Sequence, residues 1–459
     1  MNALLPRVMG ISGALQLSLL LSLPAQISSL YAEPPPNKAA NPGRAIGAVD
    51  LAELALERAE SMGIGELMLE DARIAGEYAG TWRNPSVSLE GGRRRTTGGA
   101  FPGSLTGGGA NRVFRFTVSQ PLYFPGKTGL RAEAAEIHRR LAALSLTETS
   151  LILRYQVIRL AYATAAAERV IAHVESRVKR FRLIEAYLRG RPALSPARRA
   201  EREIVRRRLR MLERGLHELE VSRTVLLSRL ALYTGDGVSA RVAWIRDAGR
   251  PLDQEKVQSL ALERSPGLLK EKLRVAYAAA EERLAARESY PDLEIFGTVE
   301  QEPGAERYFG VGLRMALPIF DRNRAAVSRG KLRSRAAALR LELERKQVRQ
   351  AIQAAFAEFE HSREALRIFP LTLEKRTLQE MAAADAGFRR GRLELLTYLE
   401  ADELAFETLR AIYDTQLDYI TYYTELQMLA GDPRFADGSS PAAWRTDPGS
   451  AKTTPEVSS

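Results

Sequence analysis

The chain has 459 residues, of which 45% are hydrophobic and only 7% aromatic, a balance that favours long helices over compact β-rich cores. Its 67 basic residues exceed its 56 acidic ones, giving a net charge of +11, but the two signs are interspersed, which is typical of solvated helix faces and argues against a nucleic-acid-binding stripe. There is no cysteine, which excludes disulfides, thiol catalysis, cysteine-based metal sites and a lipid-modified N-terminal cysteine.

The N-terminus has the pattern of a secretory signal. Arg7 precedes an apolar run over residues 8–23, and small residues follow it. The run is shorter than the ~20 residues that a membrane-spanning helix needs, and Pro24 interrupts it, so a signal is favoured over a membrane anchor. We predict a signal peptide over residues 1–32 and an N-terminal linker over residues 33–50.

The rest of the chain repeats one unit of about two hundred residues. The segment "LALERA" at Leu54 returns as "LALERS" at Leu260, and Pro85 of "NPSVSLE" returns as Pro291 of "YPDLEIF", both at an offset of 206 residues. Landmarks in the same order, with small insertions between them, predict an internal duplication. The predicted ranges are a first repeat over 51–235, a connector over 236–252, a second repeat over 253–432 and a disordered tail over 433–459.

Each repeat begins with a helical segment, over Leu51–Thr81 and over Asp253–Ser289, and continues into two stretches of alternating apolar and polar residues. Alternation with a period of two predicts strands that have one apolar and one polar face. The four stretches lie near residues 86–90, 114–119, 293–300 and 308–315. They predict two β-hairpins.

Two kinds of sheet fit these hairpins. One is a small soluble sheet that packs on one face. The other is a membrane barrel, whose strands need ~9–11 residues with apolar side chains outside and polar ones inside. Four strands cannot close a barrel, and lipid does not tolerate an open edge, so a membrane sheet requires several chains to share one barrel.

A corner with a proline and an aromatic residue follows each pair of strands. The first is "SQPLYFPGKTGL", with Pro121 and Tyr123, and the second is "ALPIFDRNRAAV", with Pro318 and Phe320. The first corner contains Gly-Lys-Thr, which ends phosphate-binding loops, but Pro121 stands where such a loop needs a glycine, and the second corner lacks the tripeptide. We therefore interpret both corners as joints between a strand and a helix, with the aromatic ring at a membrane interface. Asp321 or Asn323 is the predicted N-cap of the second joint.

Very long helices follow both corners. Residues 128–189 contain no proline, and residues 323–390 are interrupted only by Pro370, where we predict a kink. Turns at Gly190 and Gly391 lead into return helices, predicted over 197–233 and 398–431. Apolar residues recur at spacings of three and four, which is typical of helices that pack along one or two seams. Antiparallel helices of this length form a rod, a bundle or a tube.

This doubled order of strands, corner, long helix, Gly-Arg turn and return helix resembles the TolC-like outer membrane efflux proteins. The segment "LPIFDRNRAAVSRGKLRSRAA" is similar to the heavy-metal and cation efflux branch, which is CzcC- and CusC-like. The resemblance covers residues 51–432. It implies a mainly α protein with some β structure, in which a homotrimer forms an α-helical periplasmic tunnel and a shared 12-stranded β-barrel in the cell outer membrane.

The same resemblance implies the function and the partners. The chain would be the outer membrane channel subunit of a tripartite efflux system that conducts metal cations or small toxic compounds. Its partners would be a periplasmic membrane-fusion adaptor, an inner-membrane RND-type pump and outer membrane lipid, with no nucleic acid and no cofactor. This subunit would not be an enzyme, because the partner pump supplies the energy.

The resemblance also implies a gate at the periplasmic end. Alignment on Gly391 places Glu400 at one acidic gate position, with Asp402 nearby, and Thr397 at the other usual acidic position, which argues against a double acidic ring. Our hypothesis is that three Glu400 side chains form a ring that favours cations; the alternative is that Glu400 is a solvated helix residue. The residues predicted to contact the adaptor are Gly190, Arg191, Gly391 and Arg392.

Other functions are also compatible with the sequence. A type I secretion exit duct would keep the channel and change the cargo. A secreted coiled-coil scaffold, with hairpins as caps, would be soluble without detergent. An enzyme is disfavoured because the chain has no nucleophile elbow, no complete phosphate loop and no clustered histidines for a metal site. The four histidines are His138, His173, His217 and His361.

Overall fold

The structure is a computed structural model of a single chain, and it describes residues 45–95, 110–190, 195–246, 252–301 and 307–431. The predicted signal peptide, the predicted tail and Arg191 lie outside these ranges. Within them, no helix combines the length and the apolar character needed to cross a membrane.

The elements of the described residues alternate between long helices and short strands. In chain order they are β1 Ala45–Gly47, α1 Ala48–Arg58, α2 Glu60–Tyr78, β2 Ser86–Arg95, β3 Ala110–Leu122, α3 Lys127–Arg189, α4 Pro196–Thr234, β4 Ser239–Arg241, α5 Gln254–Arg264, α6 Pro266–Glu288, β5 Leu293–Gln301, β6 Arg307–Met315, α7 Arg324–Ile368, α8 Thr372–Arg389 and α9 Leu395–Ala430. The order from α1 to α4 returns from α5 to α9, as the sequence repeat predicts.

The opening helical segment of each repeat is broken, although the sequence predicted it as continuous. The breaks fall at Ala59 and Ser265, which are equivalent residues 206 positions apart, and both have non-helical backbones with ψ near +125°. In the second repeat Pro266 follows the break and explains it, because proline cannot donate the helical hydrogen bond. In the first repeat Glu60 stands there instead. The first repeat therefore has the break at the equivalent position without the proline.

The return helix of each repeat ends beside that break. Gly431, which caps α9, has a φ of +65°, and a Cβ atom there would lie 2.3 Å from the backbone oxygen of Arg264. In the first repeat Arg58 donates a hydrogen bond of 3.0 Å to the Thr234 carbonyl at the end of α4. The two ends of each repeat are thus joined at matching places.

The four predicted strands form one antiparallel sheet in the order β2-β3-β5-β6. The two repeats meet in the middle of this sheet, where β3 pairs with β5 and Thr117 lies opposite Thr298. Their hydroxyl groups are 3.0 Å apart. The strands β2 and β6 form the two edges.

The helices pack side by side in two tiers along the long helix α3, whose 63 residues span about 95 Å. In the tier next to the sheet, α2 packs on α3, α3 on α6, and α6 on α7. In the second tier, α4 packs on α3, α3 on α9, and α9 on α7 and α8. The predicted kink at Pro370 is a complete break between α7 and α8. The turns α3–α4 and α8–α9 form what we call the tip of the bundle.

The connector between the repeats contains a short strand and several buried contacts. β4 pairs in parallel with β1, which lies in the predicted linker. Next to it, the fully buried amide of Gln416 on α9 accepts a hydrogen bond of 2.9 Å from the Ile245 N–H and donates one of 2.8 Å to the Ile245 carbonyl. Trp244 packs between the rings of Tyr162 and Tyr413. The connector thereby ties the first repeat to the second.

Candidate functional site

The residues predicted at the gate occupy two different environments near the tip. Thr397 and Glu400 lie on the exposed side of α9. Asp402, two residues further on, is only 1% exposed. Among these positions, only Thr397 and Glu400 are therefore available to line an opening.

Asp402 is held inside the protomer by two arginines of α3. Arg177, which is 4% exposed, donates hydrogen bonds of 2.7 and 2.9 Å to Oδ2 of Asp402. Arg180 donates a third, of 3.2 Å, to Oδ1. A buried carboxylate is tolerated only when it is paired in this way. The sequence placed Asp402 beside the gate because of its neighbour Glu400; in the structure it joins α3 of the first repeat to α9 of the second.

The network extends to the return helix of the first repeat. The second acceptor of Arg177 is Glu403, at 2.9 Å, and Glu403 also pairs with Arg208 on α4. The guanidinium of Arg177 lies 4.3 Å from the ring centre of Phe406, close enough for a cation–π contact. Three helices thus meet at one arginine. The pattern of the sequence did not single out Arg177, because its partners are 225 residues away.

A second polar cluster lies further from the tip. The hydroxyl of Tyr413 donates a hydrogen bond of 2.7 Å to Glu374, and Nε2 of His173 lies 3.4 Å from the same hydroxyl. Burial lowers the pKa of His173, and the positive charges of Arg169 and Arg180 add to this, while Glu374 opposes it. His173 is therefore neutral at neutral pH.

The hydrophobic core beneath the tip holds these networks in place. It contains Phe181 and Tyr398, both buried, with ring centres 6.3 Å apart. Burial, and then the charge of Asp402, raises the pKa of Tyr398 to about 12, so its phenol is neutral at physiological pH. The residues predicted at the tip turns are all exposed where they are described, namely Gly190, Gly391 and Arg392.

At the other end of the bundle, the two corners share an uncommon backbone conformation. Gly126 precedes α3 with a φ of +90°, and its equivalent Asn323 precedes α7 with a φ of +57°. Only glycine, and less often asparagine or aspartate, adopts this left-handed region at low cost. Asn323 is at the predicted N-cap position but makes no side-chain capping bond; Asp321 instead accepts a hydrogen bond of 2.8 Å from the Asn323 N–H. The glycine of Gly-Lys-Thr therefore allows the left-handed backbone conformation that this turn needs.

The lysine of the same tripeptide joins the two repeats. Lys127 is 4% exposed and donates hydrogen bonds of 2.7 Å to Asp292 and to the Tyr290 carbonyl. Burial alone would raise the pKa of Asp292, but the hydrogen bonds from Lys127 and from the Phe124 N–H outweigh it, so the pKa lies below its ordinary value. The Gly-Lys-Thr tripeptide thus has a structural role, because its lysine pairs with Asp292 of the same chain.

The predicted corner residues differ between the two repeats. Pro121 lies within β3, whereas Pro318 follows the end of β6. Tyr123 is half-buried beneath the Arg131 guanidinium, 4.7 Å from the ring centre. Phe320, its equivalent, is fully exposed. The second corner stands at an edge of the protomer, and this explains the exposure of its ring.

The two faces of the sheet have opposite character. On one face Arg115 bonds to Glu90 and Glu300, and Arg314 bonds to Glu294. On the other face most of the side chains are apolar and exposed. They are Val87, Leu89, Phe114, Phe116, Val118, Ile295, Val299, Phe309, Val311, Leu313 and Met315. Such a face is stable only when lipid or protein covers it.

Residues 257–432 match the family model described as outer membrane efflux protein. No curated protein matches the sequence. Several solved structures share the fold. CusC has a TM-score of 0.66 at 15% identity, over 85% of this chain and 95% of that one. The CmeC outer membrane channel of Campylobacter jejuni has 0.68 at 15%, over 84% and 85%. The MtrE outer membrane channel of Neisseria gonorrhoeae, in its open state, has 0.65 at 18%, over 84% and 89%.

The fold of the described chain is that of the TolC-like channel subunits, with long paired helices below a four-stranded sheet. The resemblance seen in the sequence is thereby confirmed: residues 257–432 match the outer membrane efflux protein family model, and the described chain has the fold of the TolC-like channels. Proteins of this family are channels, so the prediction that the chain is not an enzyme is confirmed as well.

Proposed function

We propose that this protein forms a homotrimeric channel in the cell outer membrane, which receives its cargo from an inner-membrane RND-type pump through a periplasmic adaptor. The observation that carries the proposal is that each tier of the protomer ends in two unpaired edges. In the sheet these are β2 and β6. Lipid does not tolerate open strand edges, so β6 of one copy would pair with β2 of the next. Three copies would then supply the twelve strands of one barrel.

The helices support the same assembly. In the tier next to the sheet, the edge helix α2 exposes an apolar stripe that includes Leu67 and Met68, and the opposite edge helix α7 exposes Leu332 and Leu339. In the tip tier, the edge helix α4 exposes four apolar residues at multiples of seven positions. These are Ile204, Met211, Val225 and Leu232. A heptad stripe is the pattern of a helix that packs on another helix, so we assign these edges to subunit contacts.

The two faces of the sheet fix its orientation in the proposed barrel. The apolar face would contact outer membrane lipid, and the face with Arg115 and Arg314 would line the water-filled interior. The helices would extend into the periplasm. Glu400 would then stand near the periplasmic entrance, where three copies form a ring that favours cations. Gly190, Gly391 and Arg392 would contact the adaptor at the exposed tip.

Metal cations are the cargo that we propose, on two grounds. The second corner and the start of α7 carry the sequence similar to the heavy-metal efflux branch, and Glu400 would place negative charge at the entrance. Loss of the gene from its host should then increase sensitivity to metal cations and leave sensitivity to uncharged toxic compounds unchanged. Increased sensitivity to uncharged toxic compounds with unchanged metal sensitivity would indicate that the cargo is small toxic compounds. A secretion defect would favour a type I exit duct.

Cysteine cross-linking tests the assembly directly, because the natural chain has no cysteine. The residues replaced in Leu67→Cys and Leu339→Cys lie on the two proposed contact stripes of the tier next to the sheet. A short bis-maleimide should convert the double variant, in outer membrane fractions, into covalent dimers and trimers. A matched control combines Leu67→Cys with Arg333→Cys, since Arg333 pairs with Glu281 of its own chain. A protein that stays monomeric and soluble without detergent would instead support the coiled-coil scaffold.

Single-channel recording tests the gate. Glu400→Gln removes three charges from the proposed ring and should lower the cation-to-anion permeability ratio by about twofold or more. Glu394→Gln is the control, because Glu394 is also an exposed glutamate near the tip but precedes α9 with an extended backbone. Unchanged selectivity in the Glu400 variant would leave Glu400 as a solvated helix residue.

A further inference from the structure

The apolar face of the sheet ends in arginines at the end away from the helices. Arg93 on β2 and Arg112 on β3 are directly opposite each other in the register. They lie on the apolar face, because Arg112 is two residues from Phe114 and side chains alternate along a strand. Both are exposed. Two like charges in such a cross-strand pair destabilise the sheet unless an anion lies between them.

The polar face differs from the apolar face in how its arginines are paired within the described residues. Three residues further along β3, on the other face, Arg115 lies between Glu90 and Glu300. No carboxylate among the described residues bonds to Arg93 or to Arg112. On the polar face, carboxylates of the chain neutralise the arginines, whereas on the apolar face no described carboxylate does so for Arg93 and Arg112, which leaves both guanidinium groups open to an external anion.

The height of the pair matches the edge of a membrane. Arg112 and Leu122 lie on the same face of β3, ten positions apart, which is about 33 Å along the strand and about 25 Å along the membrane normal at a tilt of ~40°. The apolar band of a bacterial outer membrane barrel is about 25 Å tall. The guanidinium groups would therefore stand at the level of the lipid headgroups, on the extracellular side because the helices occupy the periplasmic side.

A third arginine adds to the pair when the trimer closes. Arg307 begins the edge strand β6 and is also exposed on the apolar face, opposite Gln301. In the register it lies one outward-facing row, or about 7 Å, closer to the helices than Arg93 and Arg112 do. Closure would bring β6 of one copy beside β2 of the next. Arg307 of one subunit would then lie on the strand next to Arg93 of its neighbour.

We propose that these three arginines form an outward-facing site for the phosphate monoester of an outer-leaflet glycolipid, with one site at each subunit boundary. Guanidinium groups bind phosphate oxygens in a bidentate manner, and a headgroup phosphate would neutralise the like charges of Arg93 and Arg112. The acyl chains of the same lipid would cover the apolar side chains below. The site rests on the proposed function, because it requires the barrel in lipid and the neighbouring copy.

Lipid retention by the purified trimer tests the site. The full chain is placed in phosphatidylcholine nanodiscs with bis-phosphorylated lipid A or with its dephosphorylated counterpart, and bound lipid is counted by native mass spectrometry. We expect the wild-type trimer to retain the phosphorylated form about tenfold more strongly. Arg93→Gln with Arg112→Gln should abolish that preference. Arg115→Gln, on the same strand but on the other face, should keep it.

Several outcomes would overturn the site. Equal retention of the two lipids by the wild type would mean that only the acyl chains bind, and this result does not depend on any variant folding. An equal loss of the lipid preference in the Arg115→Gln variant would mean that the total positive charge of the sheet, and not the position of the arginines, determines which lipid is retained. If millimolar inorganic phosphate displaced the bound lipid A, the arginines would be a site for a free anion and not for the lipid. A trimer that forms and retains no lipid A refutes only this site, whereas a chain that forms no trimer in membranes refutes the proposed function.

Discussion

The Arg177 guanidinium on α3 donates hydrogen bonds of 2.7 and 2.9 Å to the Asp402 carboxylate on α9, and both side chains are almost completely buried. This pair joins the long helix of the first repeat to the return helix of the second. Because neither charge reaches bulk water, each depends on the other for its solvation. The pair makes the relative position of the two repeats near the tip sensitive to a single substitution.

Arg177→Met should lower the free energy of unfolding by about 3 kcal/mol or more, because it leaves Asp402 buried with only Arg180 as a partner. Denaturant unfolding of the helical signal in detergent measures this. Arg182→Met is the matched control, since Arg182 pairs with Glu213 on the surface and should cost less than about 1 kcal/mol. The double variant Arg177→Met, Asp402→Leu should recover most of the loss, and failure to recover it would contradict a charge-pair explanation.

Gly431→Ala should destabilise the chain more than Gly391→Ala, although both glycines have a positive φ. An alanine in the left-handed region costs about 1–2 kcal/mol in either place. At Gly431 the new Cβ would also approach the Arg264 carbonyl oxygen to 2.3 Å, whereas at Gly391 nothing lies within 4 Å. Thermal unfolding of both variants gives the comparison. Equal losses would show that the α9 end can shift away from the break between α5 and α6.

Asp292→Asn should weaken the first corner by about 1 kcal/mol at neutral pH, a value reduced by the partial exposure of the carboxylate. The pKa of Asp292 is lower in the folded chain than its ordinary value, so the unfolded chain binds the proton more tightly. The stabilisation is therefore present above the ordinary pKa of about 3.8 and is lost as the pH falls below it. The stability difference between wild type and variant should shrink over that acidic range. Asp321→Asn, at the exposed second corner, provides the comparison.

His173 should make the tip less stable in mild acid. Its pKa is lowered in the folded chain, so the unfolded chain takes up a proton first as the pH falls below the ordinary value of about 6.5. The melting temperature of the wild type should therefore fall further between pH 7.5 and pH 5.5 than that of His173→Gln. His217→Gln is the control, because His217 is exposed on α4. Parallel melting curves for wild type and His173→Gln would contradict burial as the cause.

Much of the fold follows from local patterns. Alternation of apolar and polar residues located all four strands of the sheet, and the absence of proline located α3 to within one residue of its observed start. The doubled order of these patterns also indicated the family. These predictions succeeded because strand and helix periodicities are properties of neighbouring residues, and nearby side chains alone determine them.

The environments of the site residues did not follow in the same way. Glu400 and Asp402 are two residues apart on one helix, yet the first is exposed and the second is buried. The difference depends on Arg177 and Arg180, which lie more than 200 residues earlier in the chain. The helix breaks at Ser265 and Ala59 were also hard to predict, since one is followed by a proline and the other is not.

The sequence by itself determined the duplicated units, their strands and their long helices, because hydrophobic periodicity and proline act locally. Only the tertiary structure decided which charges are buried, that Lys127 pairs with Asp292, and that Arg93 stands opposite Arg112 on the apolar face. Those relationships depend on strand register and on helices that meet across long stretches of chain. Burial and pairing are properties of the assembled surfaces, and no single segment contains the information to specify them.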